Sequence, residues 1–250
     1  QTRGALVGLI ISVLVMLIAV PFLTGSSNIK KKTALALLLC VVLLGGMFYY
    51  KDTALIKSNA TLRRLTTIFN LKDTTTEARF LTWETAWKGF KEKPILGWGE
   101  EHFLVVFNKY FPPEVYRHSN SRIWYDRPHN VFLQPLIHGG VVSFTLYLSI
   151  FAFIFNSLWK HKKKSGDVLP LIVLGGLTVA YMIQNAFVFD SINSYILFIL
   201  LMGYVVYLTD ERTRSYMNGD VVSGNSRRSM GLPLFILIFS TTDSRNFLVT

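Results

Sequence analysis

The sequence predicts an all-α fold: a polytopic transmembrane helix bundle carrying one large helical loop outside the membrane. Three observations predict it. Five apolar stretches approach the ~20 residues that a spanning helix needs. Only 16% of residues are charged, against about 25% in soluble globular domains. Lysine and arginine gather in the short connections between the apolar stretches.

The stretches are residues 5–23, 33–49, 131–155, 168–189 and 194–208, with the second and fifth short. A soluble helical bundle is the competing class. The absence of any charge from Gly4 to Ile29 argues against it. A further run at 231–240 is too short to span and reads as the start of a truncated helix. The chain opens on Gln1 and ends on "NFLVT", so a piece of a longer membrane protein is expected. Cys40 is the single cysteine, which excludes an intrachain disulfide.

Basic connections order the spans. "NIKKK" joins the first two, "WKHKKK" the third and fourth, and "TDERTR" and "SRRS" follow the fifth. Short loops rich in Lys and Arg stay in the cytoplasm. The chain is therefore expected to enter from outside. Residues 1–49 form two spans, 50–128 an extracytoplasmic loop with short helices, 129–208 three spans, and 209–250 a cytoplasmic tail. The net charge of +11 is then largely cytoplasmic anchoring, and no nucleic-acid partner is needed. Membrane lipids are expected partners, and the mildly basic loop suits an anionic ligand.

The loop is too rich in Trp, Phe and Tyr for a disordered linker. "TTTEARFLTWETAWKGFKEKP" reads as a helix. Thr74 and Glu77 have capping-box spacing, Phe80, Trp83, Trp87 and Phe90 form one apolar stripe, and Pro94 ends it. Its aromatic residues are expected at the membrane interface. Arg79, four residues before Trp83, sits beside the stripe. It suits bidentate phosphate binding or stacking on Trp83.

"WYDRPHNVFLQ" places titratable residues at the mouth of the third span. Pro128 suits the first helical position, with Asp126 or Arg127 at the cap. His129 then falls in the first turn, where the positive helix end disfavours imidazolium. A neutral ring with an acceptor nitrogen suits a general base. A histidine that merely caps the helix is the plainer alternative. Asp126 is close enough in sequence to orient the ring. Gln184, Asn185 and Asp190 border a cavity or bond between helices. "EEH" at 100–102 suggests no metal site, because adjacent residues face different ways; no metal and no cofactor are expected.

Together, "ARFLTWETAWKGFKEKPILGWGEEHF" and "RPHNVFLQPLIHGGVVSFTLYL" resemble the O-antigen ligase/polymerase superfamily of bacterial inner membranes. The matching positions are Arg79, Trp83, Ala86, Pro94, Gly97, Gly99, Phe103, His129, Asn130, Leu133 and Gly139–Gly140. "FDSINSYILFILLMGYV" resembles the closing span of that family.

The resemblance implies a membrane glycosyltransferase with its active loop in the periplasm. It would take a glycan from an undecaprenyl diphosphate donor and pass it to a sugar hydroxyl, without metal and with inversion. Arg79 and His129 carry over as catalytic residues. Arg127, Arg122, Asn130, Trp83 and Asp126 are candidate substrate-binding residues. Polymerase and ligase readings, the latter with a lipid A-core or other glycan acceptor, share this chemistry, with polymerase slightly preferred. A non-enzymatic transporter or scaffold is the alternative from a different class. Family members have about ten or more spans, so the spans here would be only part of the bundle.

Overall fold

The computed structural model describes residues 3–59, 62–63, 66, 74–115, 124–188 and 190–209. The fold is all-α. Its elements are α1 (Arg3–Leu23), α2 (Ser27–Tyr49), α3 (Ala54–Ser58), α4 (Thr74–Glu92), α5 (Phe103–Lys109), α6 (Leu133–Ser165), α7 (Leu169–Asn185) and α8 (Ile192–Thr209).

Helices α1, α2, α6 and α8 are long and apolar enough to cross a membrane, and α7 is shorter at 17 residues. All five apolar stretches are thus helical. α2 begins at Ser27 rather than 33, because the lysines of "NIKKK" continue the helix instead of forming its loop. Lysine is a good helix former, and its stem lies easily along apolar surface.

α1 packs along α7 and beside α2, while α6 touches α7, α8 and α4. Small residues allow the close approach of α1 to α7. A Cβ on Gly8 would stand 2.8 Å from the Ala180 carbonyl oxygen. α2 buries none of its residues, and Leu35, Leu38, Val42 and Leu43 are exposed. Such a surface suits lipid.

Outside the spans, α4, α5 and the start of α6 share one core. Ala86, Phe103, Val106, Phe107, Val115 and Ile137 are buried in it. Leu81, Phe90, Trp98 and Tyr125 pack against them. The buried face of α4 is not the aromatic stripe. Ala78, Thr82, Thr85 and Ala86 are buried, while Phe80 is 45% and Trp87 50% exposed. The reason is distance. A Cβ on Gly89 would already meet Val106 at 2.3 Å, so only small side chains fit between α4 and α5. Phe80 and Trp87 are left exposed, where an interfacial position suits them, while Phe90 packs against the core.

α6 is broken near its start. Gly139 has φ −130° and ψ 17°, and Gly140 has φ 61° and ψ −155°. A continuous helix would satisfy the Ile137 and His138 carbonyls internally; here the loop does so. Trp98 N–H donates to the Ile137 oxygen at 2.8 Å and Gly99 N–H to the His138 oxygen at 2.9 Å. In return, Val141 N–H donates to the Pro94 oxygen at 2.8 Å. The "PILGWG" segment and the "HGG" break therefore interlock backbone to backbone. At membrane depth every freed backbone group needs such a partner.

Candidate functional site

Site geometry begins at Asn130. Its Oδ1 accepts from Phe132 N–H at 2.8 Å and Leu133 N–H at 3.1 Å. Asn130 therefore satisfies the backbone donors of the turn that leads into α6, two residues before the helix's N-cap position at Phe132. This corrects the expected register: Pro128 is not the first helical residue, and His129 precedes the cap instead of lying in the first turn. The asparagine side chain satisfies two helix-end donors, whereas Pro128 only presets its own φ. The next N–H, of Val131, donates to the Asn185 carbonyl oxygen at 2.9 Å. Asn185 is 1% exposed, and its Nδ2 donates to Asp190 Oδ1 at 2.6 Å. Asn185, one of the two amides expected to bond between helices, thus anchors the turn at Val131, and Asp190 holds its side chain.

His129 has φ 53°, left-handed and uncommon for any residue but glycine. Its Nδ1 lies 3.0 Å from the Arg127 carbonyl oxygen. A carbonyl only accepts, so Nδ1 carries the hydrogen. In the neutral ring, Nε2 then holds the lone pair. The orienting role at Nδ1 belongs to this carbonyl rather than to Asp126, which is exposed.

Tyr125 stands beside one of the two expected catalytic residues, His129, and feels the charge of the other, Arg79. Its ring stands edge-on to His129, with centroids 5.5 Å apart. Burial pushes its phenol above the ordinary value, and the nearby charge of Arg79 works against that shift. His129, from the turn before α6, packs against this tyrosine, and the charge of Arg79, from α4, reaches it electrostatically. Tyr125 in turn packs edge-on against Phe107 at 5.6 Å, in the loop core. Sequence reading passed over Tyr125, although an aromatic residue four before a candidate base was a usable signal.

The other candidates take different places. Arg127 donates to Glu101 Oε1 at 3.1 Å. Trp83 packs on Phe187, with ring centroids 6.0 Å apart, and its Nε1 is buried without a hydrogen-bond partner. Arg122 lies outside the described residues. The adjacent carboxylates of "EEH" do face different ways: Glu100 reaches His138 Nδ1 at 2.9 Å, and Glu101 reaches Arg127. No group of three His, Cys, Asp or Glu among the described residues is arranged to hold a metal ion.

Hydrogen bonding from His138 holds the Glu100 carboxyl below the ordinary value of 4.5. A depressed carboxyl stabilises the fold above its unfolded pKa and loses that contribution as pH falls through the folded one. The stability difference between wild type and Glu100→Gln is therefore expected to be full at neutral pH and to shrink below pH 4.5. Thermal unfolding in detergent across that range measures it.

A polytopic helical membrane protein, with a basic and imidazole-bearing site where its loop meets a broken span, is the class that this fold and site define. The chain belongs to the O-antigen ligase family, whose model matches residues 1–148. That match takes in both Arg79 and His129 and ends within α6, so "FDSINSYILFILLMGYV" lies outside it. The O-antigen ligase of Pseudomonas aeruginosa is 29% identical over 106 residues, covering 42% of this chain. The aligned part spans 24% of that protein's length. No solved structure matches.

Proposed function

We propose that the protein to which this chain belongs is a membrane glycan transferase of the ligase type. It moves a glycan from an undecaprenyl diphosphate donor to a sugar hydroxyl on the extracytoplasmic side of the bacterial inner membrane. The observation that carries this reading is His129, held beside Tyr125 and hydrogen-bonded through Nδ1 so that Nε2 is the acceptor, with the charge of Arg79 felt at the same tyrosine.

In the proposed reaction, the acceptor oxygen attacks the anomeric carbon from the face opposite the diphosphate. The proton of that hydroxyl passes to His129 Nε2. The anomeric C–O bond breaks, and its electron pair leaves with the diphosphate. Arg79 stabilises the charge that develops there; a preorganised cation in that position is worth more than one in water. Diphosphate is already a good leaving group, so the proposed mechanism calls for no metal. The configuration at the anomeric carbon inverts.

The ligase reading is favoured over the polymerase because the family and the Pseudomonas relative both carry the ligase description. The test follows a radiolabelled undecaprenyl diphosphate-linked repeat unit with purified full-length protein and lipid A-core. Label on lipid A-core supports the ligase. Longer lipid-linked chains without such transfer would assign a polymerase instead, and no transfer of either kind would leave the transporter or scaffold class.

A further inference from the structure

The end of the bundle remote from His129 carries a second feature. An apolar groove of ≈ 500 Å³ lies among the second half of α1, the later part of α6 and the first half of α7. Met16, Phe22, Phe155, Trp159 and Leu171 line it, with Asn156 as its polar residue. The unbroken part of α6 from Val141 to Trp159 alone rises roughly 27 Å, so the groove is most of a bilayer away from the end that bears His129.

The α6 side of the groove ends on basic residues. Lys162, Lys163 and Lys164 close α6, and in sequence Lys30, Lys31 and Lys32 follow the end of α1. Asp167 is the one carboxylate in segments 24–33 and 159–168. Trp159 joins the two parts. Its ring lines the groove, and the Lys162 ammonium stands 4.7 Å from the ring centroid, with that of Lys163 at 6.0 Å.

We infer that this groove binds an anionic diacyl phospholipid. One acyl chain lies along the apolar walls, and the headgroup phosphate meets Lys162 and Lys163 beside Trp159. Charge selects the occupant. A chain in the groove has its head among lysines, which favours an anionic lipid over a zwitterionic one. A basic cleft between helices at the membrane surface is the arrangement that holds such headgroups. The groove does not suit the diphosphate donor, whose head belongs at the opposite end.

The test uses delipidated full-length protein, titrated with phosphatidylglycerol or phosphatidylcholine and read by native mass spectrometry. Phosphatidylglycerol is expected to bind at least about tenfold more tightly. Lys162→Gln with Lys163→Gln should remove most of that preference, and the matching arginine pair should restore it. Ala19→Phe, which fills the groove, should weaken both lipids. His129→Ala should bind phosphatidylglycerol normally, which separates this site from the catalytic one. Equal affinity for the two lipids, unchanged binding in the glutamine pair, or displacement of phosphatidylglycerol by undecaprenyl phosphate with the same lysine dependence would overturn the assignment.

Discussion

Replacing His129 or Arg79 with alanine in the full-length protein is expected to abolish glycan transfer while leaving the protein in the membrane. For His129 the loss should be about 10²–10⁴ in rate, the usual worth of a positioned general base. For Arg79 it should be about 10²–10³, the usual worth of one charge-stabilising donor. Neither side chain belongs to the buried core, so amounts in the membrane should stay near wild type. Surface-glycan ladders report the loss in cells, and the radiolabel assay reports it in vitro. Normal ladders in both variants would sink the catalytic assignment. Loss of the protein itself would instead make these residues structural.

Gly140→Val is expected to be as damaging for a different reason. Gly140 has φ 61°, and a Cβ there would stand 2.3 Å from the Ile95 carbonyl oxygen. Gly97→Val meets the same obstacle: φ 67°, with a Cβ 2.5 Å from the Ile137 carbonyl oxygen. A β-branched residue pays for left-handed backbone, and the contacts are with backbone that cannot swing aside. Each substitution should cost at least ~3 kcal/mol, among the larger effects of single mutations. Protease resistance of the loop and thermal unfolding in detergent measure it. Gly25→Ala is the control, since nothing lies within 4 Å of a Cβ there; its change should stay within about 0.5 kcal/mol. Equal behaviour of all three variants would refute the interlock.

The spans were legible because lipid leaves a plain mark: long runs without charge, bounded by lysines. The loop helix was legible from its period, but which of its faces packs on α5 was not. The stripe of Phe80, Trp83, Trp87 and Phe90 is the louder signal, and the rule that large apolar residues face the core points to it. Packing against α5 was decided instead by Ala78, Thr82, Thr85, Ala86 and Gly89, whose smallness says nothing until a neighbour is known. His129 and Arg79 were legible as residue types. The place of Tyr125 against His129 and Phe107 was not, because Phe107 and Tyr125 come together only in space. The helix start slipped to Leu133 because Pro128 and Asn130 both signal a helix end, and only the asparagine has a side chain that can satisfy it.

The interlock between "PILGWG" and the break in α6 has a consequence for how the chain matures. During synthesis the loop leaves the ribosome before α6 does. Until Ile137 and His138 arrive, the N–H groups of Trp98 and Gly99 lack their partners, and the Phe103–Phe107 core lacks Ile137. The loop therefore cannot finish folding as a free-standing globule. It waits for the membrane insertion of the helix that follows it, and the turn bearing His129, lying between the two, is shaped last. The proposed site is thus a checkpoint on correct insertion: a chain whose α6 fails to enter the bilayer does not assemble it.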